Sequence, residues 1–210
     1  MNIEDDAVGS DIGVLKVLEI EKQGKKYKVS FDKADALVLY ASEIKEYGLR
    51  EDVEIDDGRY EMLVRDVVGL RAKKRAMHLL EKRDYTSDGL RKKLESGDYP
   101  KTCVDSAIEY VSSYGYLDDL RYSLNYIEYH RESKSQNSIR LDLIKRGVDK
   151  DTIEKAFAES EPPTEDEQIL RLLEKKHFED VRGDQKEKYR IYQFLLRKGY
   201  RSEDVLRLMK

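Results

Sequence analysis

Hydrophobic and polar positions alternate at the start of the chain and then switch to a helical period. Ile12 to Lys22 is rich in Val, Leu and Ile, and Gln23-Gly24 interrupts it. Lys26 to Phe31 then places Tyr27, Val29 and Phe31 on one side and Lys26, Lys28 and Ser30 on the other. This pattern predicts a β-hairpin. Leu37 to Tyr40 reads as a short third strand, and Ala41 to Tyr47 as a short helix ended by Gly48. From Asp57 the apolar residues Tyr60, Leu63, Val64, Val67, Val68, Ala72, Ala76, Leu79 and Leu80 fall three or four apart. They predict one long helix running to about Arg83. A turn at Asp57-Gly58 ahead of a strand carrying Tyr60, Met62 and Val64 matches fewer positions.

Beyond that helix the pattern repeats itself. Registered on Asp98, Gly147 and Gly199, without gaps, the chain places Leu90, Ile139 and Ile191 eight residues before the anchor, and Leu94, Leu143 and Leu195 four before it. Val104, Ile153 and Val205 follow six after, and Ala107-Ile108, Ala156-Phe157 and Leu208-Met209 nine and ten after. Each copy reads as helix, turn, helix behind a further leading helix. Glycine at an anchor suits the left-handed conformation that ends a helix without a Cβ clash. The first copy has Gly97 then Asp98, so either Asp98 takes that conformation or the helix ends one residue early. Ser87, Asp118, Asp149 and Ser202 are expected helix caps, and Thr164 with Glu167 forms a capping box after Pro162-Pro163. The predicted fold is mainly α. A small α+β segment containing the hairpin (1–56) precedes three three-helix repeats (57–115, 116–160 and 161–210), each leaving an apolar face for a neighbour in an elongated, curved array.

Composition narrows the function classes. Charged residues make up 40% of the 210, and no stretch approaches the run of about 20 apolar residues that a membrane span needs. Met1 to Ser10 carries Glu4, Asp5 and Asp6 where a secretion signal needs basic residues and an apolar run. The single Cys103 suits a reducing compartment, and a cytoplasmic protein is expected. The net charge of -4 conceals blocks: residues 1–70 sum to -7 (10 basic, 17 acidic), residues 71–101 to +5 (10 and 5), and residues 171–210 to +5 (12 and 7). Such blocks pattern a surface for a charged partner more than they attract nucleic acid in bulk.

Three stretches resemble the RecX family, regulators of the bacterial RecA recombinase: Arg83 to Leu94, Tyr114 to Tyr122, and Ile139 to Phe157 with its Lys145-Arg146-Gly147 turn. Phe194 to Tyr200 is similar to the family's closing segment, so the resemblance covers roughly residues 57 to 210. The positions that carry it are Ser87, Leu90, Leu94, Tyr116, Leu117, Asp118, Asp119, Gly147 and Gly199, with structural roles. The acidic overall charge and the Gly97-Asp98 order depart from the family pattern. The resemblance implies a non-enzymatic, monomeric regulator that lodges in the groove of a RecA filament and limits its extension, ATP hydrolysis and strand exchange.

The partner-binding surface is expected on basic faces: Lys73, Lys74 and Arg75; Arg91, Lys92 and Lys93; Lys145 and Arg146; Arg197 and Lys198. Opposite the buried stripe of Leu90 and Leu94, such side chains either meet a recombinase's acidic surface or phosphates, or form a solvated face. Single- or double-stranded DNA is an alternative partner. Sequence-specific reading of DNA is disfavoured, because the second helices begin with acidic residues such as Asp105, Asp149 and Asp151. Tyr122, Tyr126 and Tyr129, and Tyr110 with Tyr114, read as core between repeats with hydroxyls at the rim. Asp118-Asp119 reads as a helix cap. His78, His130 and His177 lack metal-ligand spacing, and no phosphate loop or nucleophile motif occurs, so no cofactor, metal or catalytic site is expected.

Overall fold

The computed structural model describes residues 13–210, so Ile12 and the acidic stretch from Met1 to Ser10 lie outside the described residues. Strands β1 (Val14–Gln23) and β2 (Lys26–Phe31) form the expected hairpin, with Gly24 in the turn at φ +63. β3 (Leu37–Tyr40) pairs with β2, and β4 (Glu54–Asp56) adds an edge that the sequence reading lacked. The antiparallel order is β3-β2-β1-β4, with Val17, Val29, Leu37 and Leu39 fully buried. Helix α1 (Ala41–Glu46) ends at Gly48, φ +57, as expected.

The long helix starts at Asp57, but its ladder widens in the middle. α2 (Asp57–Met62) runs into a π-helical segment (Leu63–Gly69) and then α3 (Leu70–Leu80). Leu63 and Val68 are both buried five residues apart, a spacing that an α-turn would place on different faces. The extra residue brings Leu63 into line with Val68, Ala72 and Ala76. Gly69 is needed there, because a Cβ would stand 2.9 Å from the Val64 carbonyl oxygen. The Cys103 thiol donates to that same oxygen at 3.4 Å.

The remaining helices are α4 (Ser87–Glu95), α5 (Lys101–Ser113), α6 (Asp119–His130), α7 (Gln136–Lys145), α8 (Lys150–Ser160), α9 (Glu165–Lys175), α10 (Phe178–Val181), α11 (Gln185–Arg197) and α12 (Ser202–Leu208). The leading helix packs on the last in each repeat, as α3 on α5, α6 on α8 and α9 on α12, with the short α10 an addition to the expected three helices of the final repeat. The residues aligned at each anchor offset bury together: Leu94, Leu143 and Leu195 are fully enclosed, as are Val104 and Val205, with Ile153 1% exposed. Backbone conformation confirms the register, with φ +61 at Asp98, +81 at Gly147 and +91 at Gly199. Asp98 therefore takes the left-handed position itself.

The chain forms two compact units. The first comprises residues up to Arg83 together with Leu90–Tyr116; the second comprises Asp84–Gly89 and Leu117–Lys210. In the first, Arg71 of α3 donates to the Val38 carbonyl at 2.8 Å and to Glu43 at 2.5 and 2.6 Å, fastening the sheet to the leading helix. In the second, Ile127, Ile139, Leu143, Val148, Ile153 and Phe157 fill the middle repeat, and Ile169, Leu173, Phe178, Leu195 and Val205 fill the last.

Candidate protein-interaction face

Helix caps position the second unit. Asp118, Asp149 and Thr164 cap as expected, accepting from the backbone N–H of Arg121, Thr152 and Glu167. Two expected caps are displaced. Ser87 is the first residue of α4, and the Thr86 hydroxyl before it accepts from Gly89 N–H at 3.0 Å. Ser202 likewise lies inside α12, where its hydroxyl shares a hydrogen bond with Tyr192. Ahead of α12 it is Arg201 that takes the extended backbone a cap requires. Ser135 and Asp184, which the sequence reading passed over, cap α7 and α11.

These caps also join one repeat to the next. The Thr86 hydroxyl donates to the Arg146 carbonyl at 2.6 Å, at the turn of the following repeat. Forty-nine residues on, Ser135 N–H donates to the Lys198 carbonyl at 3.3 Å, at the next such turn. A Cβ on Gly147 would overlap the Asp88 side chain, and one on Gly199 would stand 2.7 Å from Ser135 Oγ and 3.0 Å from Ser138 Cβ. Glycine is therefore demanded twice, by the left-handed φ and by the helix start seated against it. Acidic residues reinforce the joint: Asp119 accepts from Ser87 N–H at 2.8 Å and Glu165 from Asn137 N–H at 3.3 Å, each satisfying a helix-start donor in the preceding repeat. Burial pushes the Asp119 carboxyl above the usual range against the pull of the Ser87 hydrogen bonds. A second anchor is buried: Tyr200 donates to Gln168 at 3.1 Å, and Gln168 donates to the Arg131 carbonyl at 3.0 Å. Burial pushes the Tyr200 hydroxyl up to about 12.

The expected basic residues divide by environment. In the first unit Lys74, Arg75, Lys92 and Lys93 are exposed. Lys73 sits 5.4 Å from the Tyr110 ring, and Arg91 pairs with Asp105, so each cluster engages α5 through one member. In the second unit the basic pairs occupy equivalent places immediately before the glycine turns. Lys145 and Arg197 are exposed; Arg146 Cζ lies 4.9 Å from the Tyr126 ring and Lys198 Nζ 5.3 Å from Phe194. Leu90, Leu94 and Leu117 are buried as expected, whereas Tyr116 is exposed and stacks on Tyr114.

The tyrosines correct an expectation. Ser123 and Ile127, one residue round the helix from Tyr122 and Tyr126, face the interior of α6, while Tyr129 is 82% exposed. Tyr110 and Tyr114 are also exposed. Tyr122, Tyr126 and His130 instead form a half-buried ladder at i, i+4 and i+8, with ring centroids 6.3 and 4.2 Å apart. Arg146 Nη1 donates to the Tyr122 hydroxyl at 3.1 Å, and Lys134 donates to Asp142 at 2.6 Å and to Tyr126 at 3.2 Å. The fourfold spacing was present in the sequence, but the cations that cover the rings, Lys134 and Arg146, come from the residues on either side of α7.

Among the described residues no cluster of three metal-ligating side chains occurs, and no helix is long and apolar enough to cross a membrane.

Comparison with known proteins agrees with this architecture. Residues 164–209 match the family model for the RecX third three-helix domain. The regulatory protein RecX of Clostridium botulinum (strain Alaska E43 / Type E3) is 28% identical over 188 residues, covering 87% of this chain and 88% of that one. That of Clostridium perfringens (strain 13 / Type A) is 27% identical over 194 residues, covering 90% and 91%. A crystal structure of regulatory protein RecX shares the fold, with a TM-score of 0.58 at 21% identity over 90% of this chain and 96% of that one. RecX from Lactobacillus salivarius gives the same TM-score and identity over 68% and 94%. The recurring trihelical units, the glycine turns and the matches along nearly the whole chain make it similar to the regulatory proteins RecX, with its last three-helix segment matching that family's third domain.

Proposed function

We propose that this chain regulates a RecA-type recombinase by gripping its filament through non-covalent contacts, restraining filament extension, ATP hydrolysis and strand exchange without chemistry of its own. The observation that carries the reading is periodic. Lys145-Arg146 and Arg197-Lys198 stand at equivalent places in two repeats, each just before a glycine turn whose carbonyl accepts from a residue at an earlier helix start, Thr86 at Arg146 and Ser135 at Lys198. A fixed spacing of cations suits a partner that itself repeats, and opposite charge across such a contact speeds association and sets register. In this reading the three repeats act as successive modules of one monomeric cytoplasmic regulator, and Lys73, Lys74, Arg75, Arg91, Lys92 and Lys93 extend the contact from the first repeat.

The test is inhibition of recombinase ATP hydrolysis on single-stranded DNA. Lys145→Glu with Arg197→Glu reverses two exposed charges, and the half-inhibitory concentration is expected to rise about tenfold or more with helical content unchanged. Undiminished inhibition would remove these pairs from the contact. Binding of the protein to DNA without recombinase, with an affinity that falls steeply as salt rises, would favour phosphates as the partner instead.

A further inference from the structure

Arg146 is held more firmly than an ordinary surface arginine. Its guanidinium lies over the Tyr126 ring and donates to the Tyr122 hydroxyl, so its plane is set before any ligand arrives. Tyrosine hydroxyls accept these hydrogen bonds without neutralising the charge. Close by, Lys134 and Tyr126 both donate to one oxygen of Asp142, at 2.6 and 3.1 Å. Lys134 thus pairs with the Asp142 carboxylate, whereas Arg146 is engaged by a tyrosine hydroxyl and a tyrosine ring that leave its charge in place. A planar guanidinium fixed in this way matches the two oxygens of a carboxylate.

We infer that the Tyr122–Tyr126–His130 ladder with Arg146 forms a receiving site for a carboxylate side chain of a protein partner, bound by the Arg146 fork and backed by Lys134. The occupant is an acidic protein segment because the aromatic faces are already covered. Single-stranded nucleic acid binds by stacking bases on open aromatic faces along a basic groove. Here Arg146, Lys134 and His130 already crowd the Tyr126 ring, with Lys134 Nζ 5.5 Å and the His130 centroid 4.2 Å from its centre. The inference rests on the proposed function in taking the partner to be a protein, and it assigns one contact within that interface.

The probe is a hexaglutamate peptide, titrated into the full-length protein and followed through the His130 imidazole resonances, with a short oligothymidylate of equal charge in parallel. The peptide is expected to shift His130 saturably. Arg146→Gln should weaken it about tenfold, and Arg146→Lys nearly as much, because a point charge lacks the fork. Thermal unfolding of both variants verifies that they fold. Equal binding by Arg146→Lys, or stronger binding of the oligothymidylate, would overturn the assignment. If the peptide leaves His130 unmoved while reversal at Lys145 and Arg197 still relieves inhibition, the receiving site fails and the proposed function stands. If His130 responds but that reversal changes nothing, the site stands and the filament reading fails.

Discussion

The turn at Asp98 and the turn at Gly147 have the same backbone hand and different tolerance for a side chain. Asp98 sits at φ +61, close to the left-handed minimum that Asp and Asn enter most readily. It borders an open cavity of about 430 Å³ lined by Lys28, Asp35, Val38 and Tyr99, where a Cβ has room. Gly147 sits further out, at φ +81, with the start of α4 pressed against it through Asp88 and Thr86. Gly199, at φ +91 beneath Ser135 and Ser138, repeats that arrangement. Glycine therefore marks the turns against which an earlier helix start is seated, and Asp98 marks the first turn of the series.

Substitution at the occupied turns should separate the two kinds most clearly. Gly147→Ala combines left-handed strain with displacement of the α4 start, and a loss of about 3 kcal/mol is expected in chemical denaturation. Gly199→Ala should cost less, about 2 kcal/mol, because the closest atom is a serine hydroxyl that can rotate away. The opposite exchange, Asp98→Gly, should change stability by no more than about 1 kcal/mol, since relief of strain is offset by a more flexible unfolded chain. A large loss there would show that the Asp98 side chain carries a contact of its own.

The smallest effect concerns acid. Burial, aided by Lys134 and Arg146 and opposed by Asp142, holds His130 below its ordinary value of 6.5. The unfolded chain then takes up the proton first, so the stabilisation is present above that value and is lost as pH falls through it toward the folded one. His130→Gln should flatten this part of the pH profile while leaving stability at neutral pH nearly unchanged.

Much of the fold was legible because its signals are local. Leu94, Leu143 and Leu195 recur at one distance from a turn residue, and Asp118, Asp149 and Thr164 carry the oxygen that a helix start needs. Thr86 and Ser202 show the limit of that reading. Thr86 and Ser87 are adjacent hydroxyl residues that can each cap, and at α12 Arg201 takes the cap position with no side-chain cap at all, so where a helix starts depends on what it packs against. The π-helical segment was hidden similarly, since Leu63, Val64, Val67 and Val68 offer both an α and a wider register, and burial chose the spacing of five. The interaction face was legible only in outline. Lys145-Arg146 and Arg197-Lys198 stood out as basic pairs, but the tyrosine ladder was expected inside.

By itself the sequence determined the thrice-repeated helical unit, the hairpin ahead of it and the hand of the two glycine turns, because apolar period, capping oxygens and glycine act within a few residues. Only the tertiary structure decided that Thr86 and Ser135 lock onto the next repeat's turn and that Tyr122, Tyr126 and Arg146 assemble into one charged ladder. Those long-range contacts join residues 20 to 63 positions apart, and their partners are chosen by packing, which no local pattern encodes.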